Sequence, residues 1–160
     1  MTFTIRLATA DDVPLIRQLI ADLAEFEKLA HEMVATDELL HEHLFGARPA
    51  AEVQIGECDG EPVAFCLFFT NFSTFLGRPG IYLEDLFVRP SHRGRGFGEA
   101  LLRNLARLAV ERGCGRLEWS VLDWNENAVR FYRRLGAKPM SEWTVMRVTG
   151  DALQRLGGGD

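Results

Sequence analysis

Apolar positions along the chain alternate between a period of two and a period near 3.6, the rhythm of strands and helices packed on one another. Phe3-Thr4-Ile5-Arg6-Leu7 alternates as a strand. Ile16, Leu19, Ile20, Leu23 and Phe26 then recur at helical spacing. Ahead of them stands Thr9 as a helix cap, with Asp12 as a shorter stand-in for the Glu of a capping box. Glu27 continues the stripe four residues after Leu23, a carboxylate where the pattern expects a core side chain. Thr36 opens a short second helix and Gly46 closes it. Two strands follow, Ala51–Glu57 and Val63–Thr70, joined by Asp59-Gly60, a strong hairpin turn signal. Asn71–Gly80 reads as a loop, although its Phe72, Phe75 and Leu76 are apolar for an exposed segment. An apolar run through Tyr82 and Val88 leads into a loop dense in Arg and Gly, followed by a helix from about Gly98 to Arg112. The strand Arg116–Leu122, the helix Glu126–Leu135 and the strand Glu142–Val148 complete the order. Gly157-Gly158-Gly159-Asp160 reads as a frayed tail. No linker long enough to separate domains interrupts the series, so residues 1–150 read as one domain and 151–160 as a C-terminal segment.

The chemistry concentrates where the strand meets the Arg- and Gly-rich loop. A strand feeding a glycine-rich turn at a helix N-terminus is an anion cradle, because unpaired first-turn N–H groups converge and the helix dipole adds about half a positive charge. Glycines let the backbone approach a diphosphate, since no Cβ intervenes. No Gly-Lys-Ser/Thr follows, which disfavours a nucleoside-triphosphate loop with Lys and Mg²⁺. Gly94-Arg95-Gly96-Phe97-Gly98 also lacks the spacing of a dinucleotide Gly-x-Gly-x-x-Gly. Arg93-Gly94-Arg95-Gly96-Phe97-Gly98 does match Arg-x-x-Gly-x-Gly after an apolar strand, and so resembles the acyl-CoA loop of the GNAT superfamily of N-acetyltransferases.

Further segments narrow the resemblance. Tyr82-Leu83-Glu84-Asp85, Trp124-Asn125-Glu126 and Phe131-Tyr132-Arg133-Arg134-Leu135-Gly136-Ala137 are similar to the spermidine/spermine (diamine) N-acetyltransferase branch. Ile5–Asp12 and Leu23–Glu27 extend the likeness to nearly the whole chain. The resemblance implies an α/β (α+β) fold: a mixed, mostly antiparallel central sheet flanked by helices, the acyl-CoA N-acyltransferase fold with splayed central strands. It implies acetyl-CoA as cosubstrate and a homodimer. It places Leu86, Phe87 and Val88, the loop residues Arg93, Gly94, Arg95, Gly96, Phe97, Gly98 and Glu99, and Asn125, Ala128 and Tyr132 at the cofactor. Phe26, Glu27, Glu84 and Asp85 fall at the substrate. The segments Asn71–Gly80 and beyond Ala137 depart from the branch, which leaves a polyamine, a thialysine-like amino acid or another small primary amine open as substrate.

Composition and charge add limits. With 160 residues the chain can bury one sizeable core. No apolar run reaches the ~18 residues of a membrane span and no signal peptide opens the chain, so the expected compartment is the cytoplasm. Net charge is −8 over residues 1–80 and +3 over 81–160. Solvated helix faces explain that alone, but a basic half also suits an anionic cofactor and an acidic half a cationic substrate. Overall acidity argues against a nucleic-acid partner. Cys58, Cys66 and Cys114 show no CxxC spacing and read as buried small hydrophobes. His41 and His43 would point about 200° apart on a helix, and His31 and His92 read as solvated, so no metal is expected.

Amine acetylation needs an acid and a base. A primary amine with pKa near ~10.4 is about one part in a thousand neutral at cytoplasmic pH, and freeing it costs roughly 4 kcal/mol. General base help contributes ~10²–10⁴-fold, and acid help at the leaving sulfur is of the same order. Spacing alone makes Tyr132 an ordinary buried aromatic and Glu84 a strand carboxylate; the resemblance implies that Tyr132 protonates the departing thiolate and that Glu84 is the base, acting through water. Adjacent on a strand, Glu84 and Asp85 should point to opposite faces. Three functions compete: acetylation of a small cationic amine without an acyl-enzyme, acetylation of a protein or peptide amine, and a non-catalytic acyl-CoA-binding module. The presence of both Glu84 and Tyr132 favours catalysis.

Overall fold

A computed structural model describes residues 1–158 and divides into two compact units, one of Met1–Ser120 and one from Val121 onward. In the first unit β1 (Phe3–Leu7), β2 (Glu52–Cys58), β3 (Glu61–Ser73), β4 (Arg78–Val88) and β5 (Leu117–Trp119) form one sheet in chain order. The first three pairings are antiparallel and β4–β5 is parallel, the mixed sheet expected. The parallel ladder covers only Ile81–Leu83 against Leu117–Trp119, so β4 runs on to Val88 without its neighbour.

Consecutive positions of β2 and β3 are buried, the mark of a sheet covered on both faces. Ile16, Leu19 and Leu23 of α1 (Val13–Phe26) and Leu44 of α2 (Asp37–Phe45) pack with Val53, Ile55, Phe65 and Phe87. From α3 (Phe97–Glu111), Leu101 and Leu105 are fully buried and Phe97 stacks on Phe3 at 4.1 Å. Local signals hold where they are self-contained. Asp59 and Gly60 take φ of 52° and 85°, the left-handed pair of a tight hairpin. The Thr9 N–H donates to the Asp12 carboxylate at 2.8 Å, with a 3₁₀ turn at Ala10–Asp12 leading into α1. At Gly46 a Cβ would stand 2.3 Å from the Glu42 carbonyl oxygen, so the chain can leave α2 only through glycine.

Expectations fail where a strand depends on a distant partner. Asn71–Gly80 is mostly not a loop: Asn71, Phe72 and Ser73 pair with Gly80, Pro79 and Arg78, leaving only residues 74–77 as the turn. Backbone pairing continues there although side-chain alternation has lapsed. Conversely, β5 is three residues rather than the expected Arg116–Leu122. Residues 142–148 form no strand at all, and Trp143, Val145, Met146 and Val148 are exposed. An alternating pattern names a face, but a strand also needs a ladder, and none reaches this segment among the described residues. In the second unit, α4 (Glu126–Arg134) starts where Asn125 Oδ1 accepts from the Ala128 N–H at 3.4 Å, and Gly136 follows it at φ 100°. The tail expectation is corrected too: Gly157 and Gly158 belong to α5 (Gly150–Gly158), while residues 159–160 lie outside the described residues.

Candidate active site

β4 carries both ends of the candidate site. In its ladder with β3, Asp85 faces Leu67 and Leu83 faces Phe68, so Glu84 is left without a partner at a β-bulge. A bulge of this kind re-aims the side chains around it. Glu84 is exposed and Asp85 half-buried. Burial first, then the charges of Glu84 and Glu27, push the Asp85 carboxyl up to about 7. Glu84 on β4 and Glu27 beside the end of α1 therefore both act on Asp85. Glu27 ends α1, with Lys28 beyond it at φ 62°, and partial burial raises the Glu27 carboxyl as well. A helix C-terminus adds partial negative charge at the same end. An ammonium group brought here would relieve that repulsion and draw the proton from Asp85.

Beyond Val88 the chain makes a 3₁₀ turn at Pro90–His92 and enters the glycine loop. Gly94 and Gly96 have φ of 78° and 81°, values that L side chains rarely adopt, and no atom lies within 4 Å of a Cβ at either. α3 begins directly after, at Phe97. A Cβ at Gly98 would meet Leu86 at 3.6 Å and Val88 at 3.8 Å, so the first turn of α3 runs close over the end of β4. Open space over left-handed glycines at the start of a fifteen-residue helix fits a diphosphate.

Loop side chains are committed elsewhere. Phe97 is buried against Phe3, Glu99 is paired with Arg103 at 2.8 Å, and an Arg95 nitrogen lies 3.3 Å from the Met1 sulfur. Arg93 is exposed, yet its Nε donates to the Val88 carbonyl at 2.8 Å, and its guanidinium carbon sits 4.1 Å from the Phe26 ring centroid and 5.3 Å from that of Phe87. Phe87 itself is a core residue. The structure thus gathers Phe26, Glu27, Glu84, Asp85, Phe87 and Arg93 within the first unit. Asn125, Ala128 and Tyr132 belong to α4 in the second, where Asn125 serves as the cap and the Tyr132 ring lies 5.4 Å from that of Phe131. His92 Nδ1 is 2.8 Å from Ser91 Oγ, and His31 and His43 are exposed beside Glu32 and Glu42. Burial pushes the Cys66 thiol up to about 12, which makes it a poor nucleophile.

Two features escaped sequence reasoning. The bulge depends on register with β3, for which the sequence of β4 holds no signal. The placing of Arg93 between Phe26 and Phe87 joins residues 67 and 6 positions away in sequence, beyond any local pattern.

Residues 16–137 match the acetyltransferase (GNAT) family. The chain belongs to that family. An L-ornithine N5-acetyltransferase of Arabidopsis thaliana is 38% identical to it, covering 95% of this chain and 86% of that protein. A thialysine N-epsilon-acetyltransferase of Bos taurus is 37% identical, covering 96% of each. Among solved structures, an integron cassette protein from the mobile metagenome of V. cholerae superposes with a TM-score of 0.82, at 24% identity and 98% coverage of both chains, and shows the same fold. The protein is therefore a GNAT acetyltransferase, of a family that takes its acetyl group from acetyl-CoA. No helix among the described residues is long and apolar enough to cross a membrane.

Proposed function

We propose that this GNAT enzyme moves the acetyl group of acetyl-CoA directly onto a primary amine of a small cationic substrate: a diamine, a polyamine or a thialysine-like amino acid. The observation that carries the reading is that Glu84 and, from the end of α1, Glu27 both act on the half-buried Asp85 of the strand that leads into the glycine loop. A corner dense in negative charge selects an ammonium group, and the loop five residues beyond Val88 suits an anion. Ornithine and thialysine, the substrates named for the two relatives, are amines of that kind. The family match runs across both compact units, which supports residues 1–150 acting as one domain.

In this reading backbone amides of residues 93–98 hold the diphosphate, and the backbone of Leu86–Val88 orients the thioester and donates to its carbonyl oxygen as charge develops there. Glu84 accepts the amine proton through water. The N–C bond forms as the C–S bond breaks, and Tyr132 gives its proton to the departing thiolate. Asp85 and Glu27 hold a second ammonium and keep it apart from the reacting nitrogen, whose deprotonation their charge would otherwise oppose. The active form in this reading is a homodimer, as the branch resemblance implies.

The test is thiol release from acetyl-CoA against a panel of diamines, monoamines, amino acids and peptides. Turnover confined to small cationic amines supports the reading. Turnover of peptide amines alone would replace it with a protein acetyltransferase, and binding of CoA without thiol release on any amine would leave an acyl-CoA-binding module.

A further inference from the structure

We propose that Arg93 is a positioning residue, which fastens the glycine loop to the end of α1 through the Phe26 ring and so couples the acetyl-CoA side of the site to the amine side. The inference rests on the reading that residues 93–98 hold the cosubstrate's diphosphate. It goes further, because it takes from Arg93 the role of phosphate ligand that its place in the motif suggests.

Geometry carries the argument. The guanidinium lies over Phe26 at 4.1 Å and near Phe87 at 5.3 Å, while Nε donates to the Val88 carbonyl at 2.8 Å. Phe87 is 2% exposed and fixed in the core, so it forms the immobile wall. Phe26 is 40% exposed, the last residue of α1, and lies 6.4 Å from Phe87, so it forms the adjustable wall. A planar guanidinium with a ring on its face is held in both distance and orientation, which an ammonium in the same place cannot reproduce. One side chain thereby ties three segments: the end of β4, the start of the glycine loop and the end of α1.

The next residue after Phe26 is Glu27, whose charge acts on Asp85. A cation that settles Glu27 also settles Phe26, and through it Arg93 and the loop. Phe97 and Glu99, in the first turn of α3, are occupied by Phe3 and Arg103, which leaves the loop backbone and the exposed Arg95 to hold a diphosphate. Backbone amides hold an anion only while the loop keeps one shape, and the Arg93 tie maintains that shape.

The experiment compares wild type, Phe26→Leu, Arg93→Lys, the double variant and Phe26→Tyr. Hydrogen exchange of the residue 94–98 amides is measured without ligand, and the dissociation constant of CoA by calorimetry. Each of the first two changes should speed exchange in the loop and weaken CoA about five- to tenfold. The double variant should be no worse than the poorer single one, and Phe26→Tyr, which keeps the ring, should restore both readouts. Phe26→Leu with wild-type exchange overturns the tie, as do losses that multiply in the double variant. If Arg93→Lys alone weakens CoA while Phe26→Leu does not, Arg93 is a phosphate ligand after all. Altered exchange in a protein that never binds CoA would retain the mechanical tie and overturn both the coupling and the cosubstrate reading, so the two failures are distinguishable.

Discussion

The glycine loop and the carboxylate corner share one strand, yet they are built by different means. Each part of the loop follows from its own few residues: Gly94 and Gly96 take backbone angles that other residues resist, and α3 starts where the turn releases the chain. The corner is assembled from Glu27 at the end of α1 and Glu84 and Asp85 at a bulge whose register β3 decides. One is local backbone chemistry; the other is long-range electrostatics. The loop should therefore fail by strain when altered, whereas the corner should answer to pH and to the charge of the substrate.

The largest effect is expected outside both regions and sets the scale for them. Tyr132→Phe should lower kcat by ~10²–10⁴-fold, the range of a lost general acid, with the CoA dissociation constant within about twofold of wild type. Steady-state rates beside calorimetry measure both, and an unchanged kcat would remove Tyr132 from the chemistry.

At the loop, Gly96→Val forces a β-branched residue to φ 81°, a strain of ~1–3 kcal/mol. CoA affinity should fall ~10- to 100-fold. Equal affinity would mean that the loop does not depend on its backbone shape.

At the corner, Asp85→Asn should separate stability from activity. In the folded protein this carboxyl holds its proton up to about 7, whereas its ordinary value is 3.8. Between those values the folded state binds more protons than the unfolded, so stability falls as pH rises through that window and the cost is complete above about 7. The variant removes the cost. It should be ~1–3 kcal/mol more stable than wild type at pH 8, less than the ~4 kcal/mol of a fully buried shift because water still reaches the group, and equal to it near pH 4. Urea unfolding at the two pH values tests this, and a stability difference that does not change with pH would mean Asp85 is not the group responsible. The limb of kcat/KM near neutral pH should flatten in the same variant.

The smallest effect sharpens the substrate side. Glu27→Gln should raise KM for a diamine by about tenfold and for a monoamine of equal length by about twofold or less, since only the diamine carries a second ammonium for Glu27 to hold. Equal increases for both amines would show that Glu27 holds no second ammonium.

Legibility follows the same division. The helix starts at Thr36 and Asn125, the turn at Asp59-Gly60 and the run from strand to loop to α3 could be read directly, because cap, turn and period each act over a few residues. The hairpin extension through Ser73 and Arg78, the shortness of β5 and the absence of a strand at 142–148 could not, because strands exist only as pairs. In the site, two arrangements of the candidate residues were not foreseen. Glu84 stands at a bulge that nothing in the sequence of β4 announces. The contact of the Arg93 side chain with Phe26 has no counterpart in the motif.

By itself, then, the sequence determined the family, the order of most elements and the glycine-rich turn into α3, because these rest on local backbone preferences and on a motif contiguous in the chain. Only the tertiary structure decided that Asp85 holds a proton near neutral pH, that Glu84 stands at a bulge and that Arg93 faces Phe26. Those outcomes depend on which distant groups share a volume with them, and burial, charge and ring contact act through space rather than along the chain.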